Sequence, residues 1–409
     1  MKKIVALFLS LLLVVSCRVN CFADQVEKTF ASEYISDGMT ENFEDGNEDS
    51  IPTSAKPSDL TVSATSVILI EVSTGKVLFE KEADMKRSPA SITKIMTLLL
   101  AMEAIADGTM KLTDKVTTSA HASSMGGSQI WLKENETMSV DDIIKAIAVA
   151  SANDASVALG EHISGSEEAF VSKMNSRAKE LGMNNTNFVN CCGLDVENHY
   201  STARDIAIMS AELLKHDLIK NYSTIWMDSL RGGETQLVNT NKLVRFYDGC
   251  TGLKTGTTDD AGYCVSASAK KGNTELVAVI LDGETSDKRF ADAKVLLNYG
   301  FANFVITTPD LSEIILEPIK VIKGYNATVE PILENPSPIL VNKGEQDNIE
   351  IKITLAESVN APVSGGQILG KISYLSKGEV VGESRILAKN AVELLTFTRA
   401  FWKILKSVL

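Results

Sequence analysis

Pro89-Ala90-Ser91-Ile92-Thr93-Lys94-Ile95-Met96-Thr97 is the stretch on which the reading of this chain turns. Proline is favoured at the first position of a helix, so a helix is predicted from Pro89 through Ala101, ending near Gly108. Residues three apart share a helix face, which brings the Lys94 amine to the Ser91 hydroxyl. Serine alone is a poor nucleophile and needs a base. A lysine buried among Ile92, Ile95 and Met96 at a helix N-terminus, near another cation, loses its proton near neutral pH, because burial and dipole both oppose the charge. The same N-terminus offers free N–H groups for an oxyanion. Ser73 and Lys76, Ser176 and Lys179, and Ser268 and Lys271 repeat the spacing. They are expected in a hairpin turn, in mid-helix and on a strand, as solvated surface.

Two further elements lie downstream. Ser151-Ala152-Asn153 follows a predicted helix over Val140 to Val149, 60 residues beyond Ser91. Lys254-Thr255-Gly256, on a predicted strand, is the sole Lys-Ser/Thr-Gly of the chain. Its lysine projects from a strand edge as a cation for a carboxylate, and its glycine lets substrate approach the backbone. Each element is weak alone; Ser-x-Asn recurs at Ser358-Val359-Asn360. In this order and context the three form the signature of the penicillin-recognising serine enzymes.

The nine residues around Ser91 resemble the nucleophile motif of the low-molecular-mass penicillin-binding proteins. So do Met125-Gly126-Gly127-Ser128-Gln129, Asn198-His199-Tyr200-Ser201-Thr202-Ala203, and Gly252-Leu253-Lys254-Thr255-Gly256 with Ala261-Gly262-Tyr263. The likeness runs from about Thr65 to Ala388 and is nearest the Gram-positive, S11-like D-alanyl-D-alanine carboxypeptidase branch. Cys250, where a larger aliphatic is usual, and Thr257, where several relatives carry histidine, depart from the pattern.

The resemblance implies an α/β fold with a β-lactamase/transpeptidase-like catalytic domain and a small β-sandwich behind it. It also implies an exopeptidase that removes terminal D-alanine from peptidoglycan pentapeptide stems and is acylated by β-lactams. Ser91 would be the acyl-forming nucleophile and Lys94 its base. Ser151 would relay a proton to the leaving D-alanine, and Asn153 would hold the peptide amide. Lys254 and Thr255 would bind the carboxylate, and the N–H groups of Ser91 and Thr257 would form the oxyanion hole. No cofactor or metal is required. One alternative, a β-lactamase, would carry a glutamate three residues before an asparagine, some tens of residues after Ser-x-Asn; none is found there. The other, a non-catalytic peptidoglycan-binding scaffold, is disfavoured by three intact motifs.

The 409 residues are 44% apolar and suit two domains plus extra segments. A net charge of −13 argues against nucleic acid as a partner. Lys2 and Lys3 before the apolar run Ile4 to Val15 read as an export signal, cut after Ala23 (1–23), too short to span a membrane. A lipoprotein signal at Val14-Val15-Ser16-Cys17 is weakened by Arg18. Asp24 to Lys56 holds nine acids and two lysines, a disordered spacer extending to 61. The catalytic domain is placed at 62–302. It opens with a hairpin of Val67 to Ile70 and Lys76 to Phe79. Helices follow at Glu167 to Leu181 and Thr202 to Leu214, then strands at Leu253 to Thr255, Tyr263 to Ala269 and Leu276 to Leu281, and a helix at Lys288 to Tyr299. Strands at both ends of this segment suggest one sheet. The sandwich, 303–389, is read from β-rich runs at Glu313 to Leu316, Ile349 to Leu355, Gln367 to Tyr374 and Val380 to Ala388.

At 390–409 the pattern becomes helical. Leu394, Leu395, Phe397, Phe401, Trp402, Ile404, Leu405, Val408 and Leu409 share one face, with Arg399, Lys403 and Lys406 opposite. This predicts a helix lying in a membrane interface, on the outer face of the cytoplasmic membrane. Cys191, Cys192, Cys250 and Cys264 are read as packing residues, His199 as a structural hydrogen-bonding group, and Trp131 as core or rim.

Overall fold

The computed structural model describes residues 60–408, with side chains described through Trp402. The expected signal segment and all but the last two residues of the acidic spacer lie outside the described residues. The catalytic part is built on β1 (Ser66–Glu71), β2 (Val77–Lys81), α1 (Lys94–Ala106), α2 (Val140–Ala150), α3 (Asn153–Ser164), α4 (Glu167–Glu180) and α5 (Ala203–Leu214). It continues with β3 (Cys250–Thr258), β4 (Gly262–Lys271), β5 (Thr274–Gly283) and α6 (Ser286–Asn303). The five strands form one antiparallel sheet in the order β2-β1-β5-β4-β3. β1 and β5 pair from Ser66 with Leu281 to Glu71 with Leu276, so the two ends of this segment meet in the sheet.

The sheet is covered on both faces. Ile68 and Ile70 enter one core with α1 to α5, while Val67 and Leu69 enter a second with Phe290, Ala293, Leu296 and Leu297 of α6. Side chains alternate along a strand, so a strand clad on both sides is apolar throughout. Helix starts are fixed by capping: the Ser139, Thr202 and Thr285 hydroxyls accept the N–H of Asp142, Asp205 and Lys288.

Three expectations are corrected here. Pro89 opens a 3-10 turn, Ala90–Thr93, and the α-helix starts only at Lys94. Helix α3 was not anticipated. Its first eight residues, from Asn153 to Gly160, are all buried, so no polar stripe marks the helical period. Ser268 is buried rather than solvated; it sits inside the sheet and accepts a hydrogen bond from the Thr251 hydroxyl at 2.8 Å.

From Phe304 the chain is β-rich: β6 (Phe304–Thr307), β7 (Ile319–Ile322), β8 (Ile339–Asn342), β9 (Glu350–Leu355), β10 (Ile368–Ser376) and β11 (Glu379–Ala388). Strands Pro331–Leu333, β11, β10 and β9 form a four-stranded sheet. Its Ile372, Tyr374 and Ile386 pack on Ile339 and Val341 of the β6–β8 pair. Its Leu369 and Ala388 pack with Ile319, Val321 and Val329 of a second, three-stranded sheet. The expected strand Glu313 to Leu316 is absent: the segment is irregular, with Ile315 92% exposed while Ile314 and Leu316 lean on the core.

Helix α7 (Phe397–Val408) begins at Phe397, seven residues beyond the expected start at 390. Val392 and Leu394 form β-bridges with Val363 and Gly324, which keeps the chain extended up to that point. Phe397, Phe401 and Trp402 are exposed. Among the described residues, no helix is long and apolar enough to cross a membrane.

Candidate active site

Ser91 lies in the 3-10 turn, where side chains three apart eclipse one another. The Lys94 amine, fully buried, donates to Ser91 Oγ at 2.9 Å, Asn153 Oδ1 at 2.6 Å and the Cys192 carbonyl at 2.7 Å. Burial brings its pKa down from 10.5 to about 8, against the pull of Cys192, Cys191 and Asp154. An ammonium group has three N–H donors and all three are engaged. The neutral amine would keep two donors and turn a lone pair toward Ser91.

Asn153, at the first turn of α3, is held on its other side by donating from Nδ2 to the Gly126 carbonyl at 2.7 Å. Next to it, the buried Asp154 carboxylate accepts the N–H groups of Ile130 and Leu132. These contacts wrap the Gly126 to Leu132 segment around the start of α3. Ser151 ends α2 in the left-handed region at φ 63°, a conformation that costs a non-glycine residue roughly 1–2 kcal/mol. The strain turns the chain sharply, so Ser151 and Asn153 stand at the junction of two helices.

β3 is the edge strand on the far side of the site. A Cβ placed on Gly256 would lie 3.0 Å from the Ser91 nitrogen, so only glycine lets the strand backbone approach Ser91 this closely. The Thr255 hydroxyl donates to that of Thr240 at 2.6 Å, and the Thr240 N–H donates to the Val149 carbonyl, tying β3 to the end of α2. Arg289 of α6 donates from Nη1 to the Gly256 carbonyl at 3.1 Å and to Thr257 Oγ1 at 3.0 Å.

Lys254 differs from expectation. It is 1% exposed, and its amine folds onto the Thr255 carbonyl at 2.9 Å. Burial pushes its pKa well down, and the cations of Lys94 and Arg289 push it further. This burial opposes its positive charge, which a strand-edge position in the sequence did not reveal.

The loop carrying Cys191 and Cys192 acts through its backbone. Their thiols are buried and unpaired, while the Cys191 carbonyl accepts from Thr97 Oγ1 and the Cys192 carbonyl from Lys94. Asn190 Oδ1 shapes the loop by accepting the N–H of Gly193 at 2.6 Å. Gly193, at φ +87°, lies against the Ser91 turn: a Cβ there would fall 1.8 Å from the Ala90 carbonyl oxygen. His199 ties the loop at Val189 to the Ser91 turn. Its Nδ1 accepts the Val189 N–H, which leaves Nε2–H to donate to Thr93 Oγ1 at 2.8 Å, and burial lowers its pKa to about 4.

Sequence reasoning did not single out Asp154, Thr240 or Arg289, and it read Cys192 as a packing residue only. Only Asp154, one residue past Ser-x-Asn, carried a positional hint. Among the described residues, no group of three His, Cys, Asp or Glu side chains could hold a metal. The cleft offers a buried amine on a serine hydroxyl, a second buried amine and an edge strand that reaches the surface at Thr257, parts that suit acyl transfer from a peptide ending in a carboxylate.

The family model described as D-alanyl-D-alanine carboxypeptidase, peptidase S11, matches residues 52–285. That of the penicillin-binding protein 5 C-terminal domain matches residues 312–394. D-alanyl-D-alanine carboxypeptidase DacF of Bacillus subtilis is 45% identical over 346 residues, 84% of this chain and 89% of the relative. DacC of Escherichia coli is 33% identical over 350 residues, 84% of this chain and 87% of the relative. Penicillin-binding protein 5 of Haemophilus influenzae superposes with a TM-score of 0.74 at 31% identity, covering 82% of this chain and 98% of that one. With its catalytic segment matched by the S11 model and its length shared with curated relatives, the chain belongs to the D-alanyl-D-alanine carboxypeptidase family and is a serine-type D-Ala-D-Ala carboxypeptidase.

Proposed function

We propose that Ser91 carries the acyl intermediate and that Lys94 is its base. The observation behind this is the buried Lys94 amine 2.9 Å from Ser91 Oγ. Ser91 Oγ attacks the penultimate D-alanine carbonyl and its proton passes to neutral Lys94. The N–H groups of Ser91 and Thr257 hold the oxyanion, and Ser151 relays the proton to the departing D-alanine amine. Water then hydrolyses the ester. Asn153 holds the substrate amide, and Lys254 with Thr255 receives the terminal carboxylate. The same path with a β-lactam ends in an adduct on Ser91.

Protonated Lys94 cannot accept the Ser91 proton. The rate at which a penicillin forms its adduct, mapped to the Ser91 peptide by mass spectrometry, should therefore fall about tenfold for each pH unit below about 8. An adduct on another residue, or a rate flat from pH 5 to 9, would contradict the reading.

The reading extends to place. The basic and apolar N-terminal segment supports export. Helix α7 supports attachment to the membrane surface, with Phe397, Phe401 and Trp402 facing lipid. Trimming pentapeptides there limits cross-linking of the wall. Because Val392 is buried and paired with Val363, a truncation that tests the anchor should end after Thr396, not within the β-bridges. That shortened chain should keep its activity and move from the membrane fraction to the soluble one. Retention on anionic vesicles would refute the anchor.

A further inference from the structure

Trp131 is 70% exposed although it stands between two buried residues, Ile130 and Leu132. Its position is enforced. The N–H groups of Ile130 and Leu132 both donate to the buried Asp154 carboxylate, Arg231 Nη1 donates to the Ile130 carbonyl at 2.9 Å, and Trp131 itself has φ +54°. The indole is thus presented to solvent by a fixed frame instead of being left over from packing.

Beside it lies an open hollow of about 520 Å³, lined by Trp131, Lys133, Glu134, Asn135, Glu136 and Arg231, within the roughly 300–1,000 Å³ of small-ligand sites. Arg231 spends Nε on Glu136 at 2.7 Å and Nη1 on Ile130 and Thr235. Its Nη2 is buried and has no hydrogen-bond partner among the described residues. Sealed from solvent, that nitrogen does not face the hollow, and Arg231 serves to hold Glu136 and the Ile130 carbonyl in place.

The lining fits one class of ligand. Arg231 is already neutralised by Glu136, and Glu134 and Glu234 stand near, so an anion gains little. An aromatic face beside donors and acceptors of both kinds matches a neutral polyol with an apolar C–H face. We propose that Trp131, held outward by the Arg231 and Asp154 frame, forms a saccharide subsite that takes an N-acetylhexosamine unit of the glycan strand bearing the stem peptide.

Position agrees, given the reading of Ser91 as the acylated residue. Asn153 Nδ2 would touch a Cβ on Gly127 at 2.8 Å. Trp131 is four residues further on, at most about 14 Å of chain. Four stem residues separate the scissile bond of a pentapeptide from its sugar, which is the same reach.

The test measures binding first, without catalysis. The full chain is titrated with a peptide-free tetrasaccharide of alternating N-acetylhexosamines, followed by calorimetry. Wild type should bind, Trp131→Tyr should retain binding, and Trp131→Ala should weaken it about tenfold or more. D-alanine release is then compared between a free pentapeptide and the same peptide on its disaccharide. Wild type should prefer the glycan-bearing substrate, and Trp131→Ala should erase that preference. The proposal is overturned if wild type does not bind the tetrasaccharide, if Trp131→Ala binds it equally, or if the variant loses activity equally on both substrates. Failure of Ser91 labelling would instead strike the acyl-enzyme reading and leave the binding result standing.

Discussion

Ser91→Ala is expected to lower D-alanine release by on the order of 10⁴-fold or more and to abolish penicillin labelling, because removal of a nucleophile ends the covalent route entirely. No substitute is available among the serines with a lysine three residues on. Ser73 and Ser176 are exposed, and Ser268 is buried in the sheet in a hydrogen bond with Thr251. The fold should survive. Without the Ser91 hydroxyl, the Lys94 amine still has the Asn153 and Cys192 oxygens, enough for the two donors of its neutral form. A thermal melt checks that point, and D-alanine release with fluorescent penicillin checks the chemistry. Labelling at wild-type stoichiometry would sink the assignment.

Lys254→Ala is expected to lower kcat/KM by about 2–5 kcal/mol, roughly 30-fold to several thousand-fold, the usual cost of truncating one partner of a buried charge pair. The amine is 1% exposed and donates only to the Thr255 carbonyl, with its pKa held well down by burial and by the cations of Lys94 and Arg289. A substrate carboxylate reverses that balance, since an anion in a dry site favours the ammonium form. Binding should therefore draw in a proton, measurable as a buffer-dependent heat in calorimetry with a D-Ala-D-Ala peptide. The variant should lose this heat together with turnover. Activity within twofold of wild type would refute the role of Lys254.

The candidate site was legible because its parts are local. Ser91 and Lys94 are three residues apart, Ser151 and Asn153 two, and Lys254 to Gly256 consecutive, so each group's internal geometry follows from one turn of helix or one strand. The sheet was legible because apolar runs clad on both faces stand out, and α7 because its apolar residues recur at the helical period. Helix α3 was hidden because complete burial erases periodicity, and its start at Asn153 is what aims that side chain at Lys94. The shape of the Ser91 turn was hidden as well, since Gly193, distant in sequence, presses on Ala90.

The sequence by itself determined the order and type of the candidate site residues, the α/β character of the catalytic segment and the amphipathic end. Tertiary structure alone decided their states. The pKa of the Lys94 amine lowered to about 8, the buried amine of Lys254, the Cys192 carbonyl as a partner of Lys94 and the outward indole of Trp131 all depend on burial and on partners from distant segments. Desolvation and hydrogen bonding act through space, and the linear chain does not state which of its groups will be left without water.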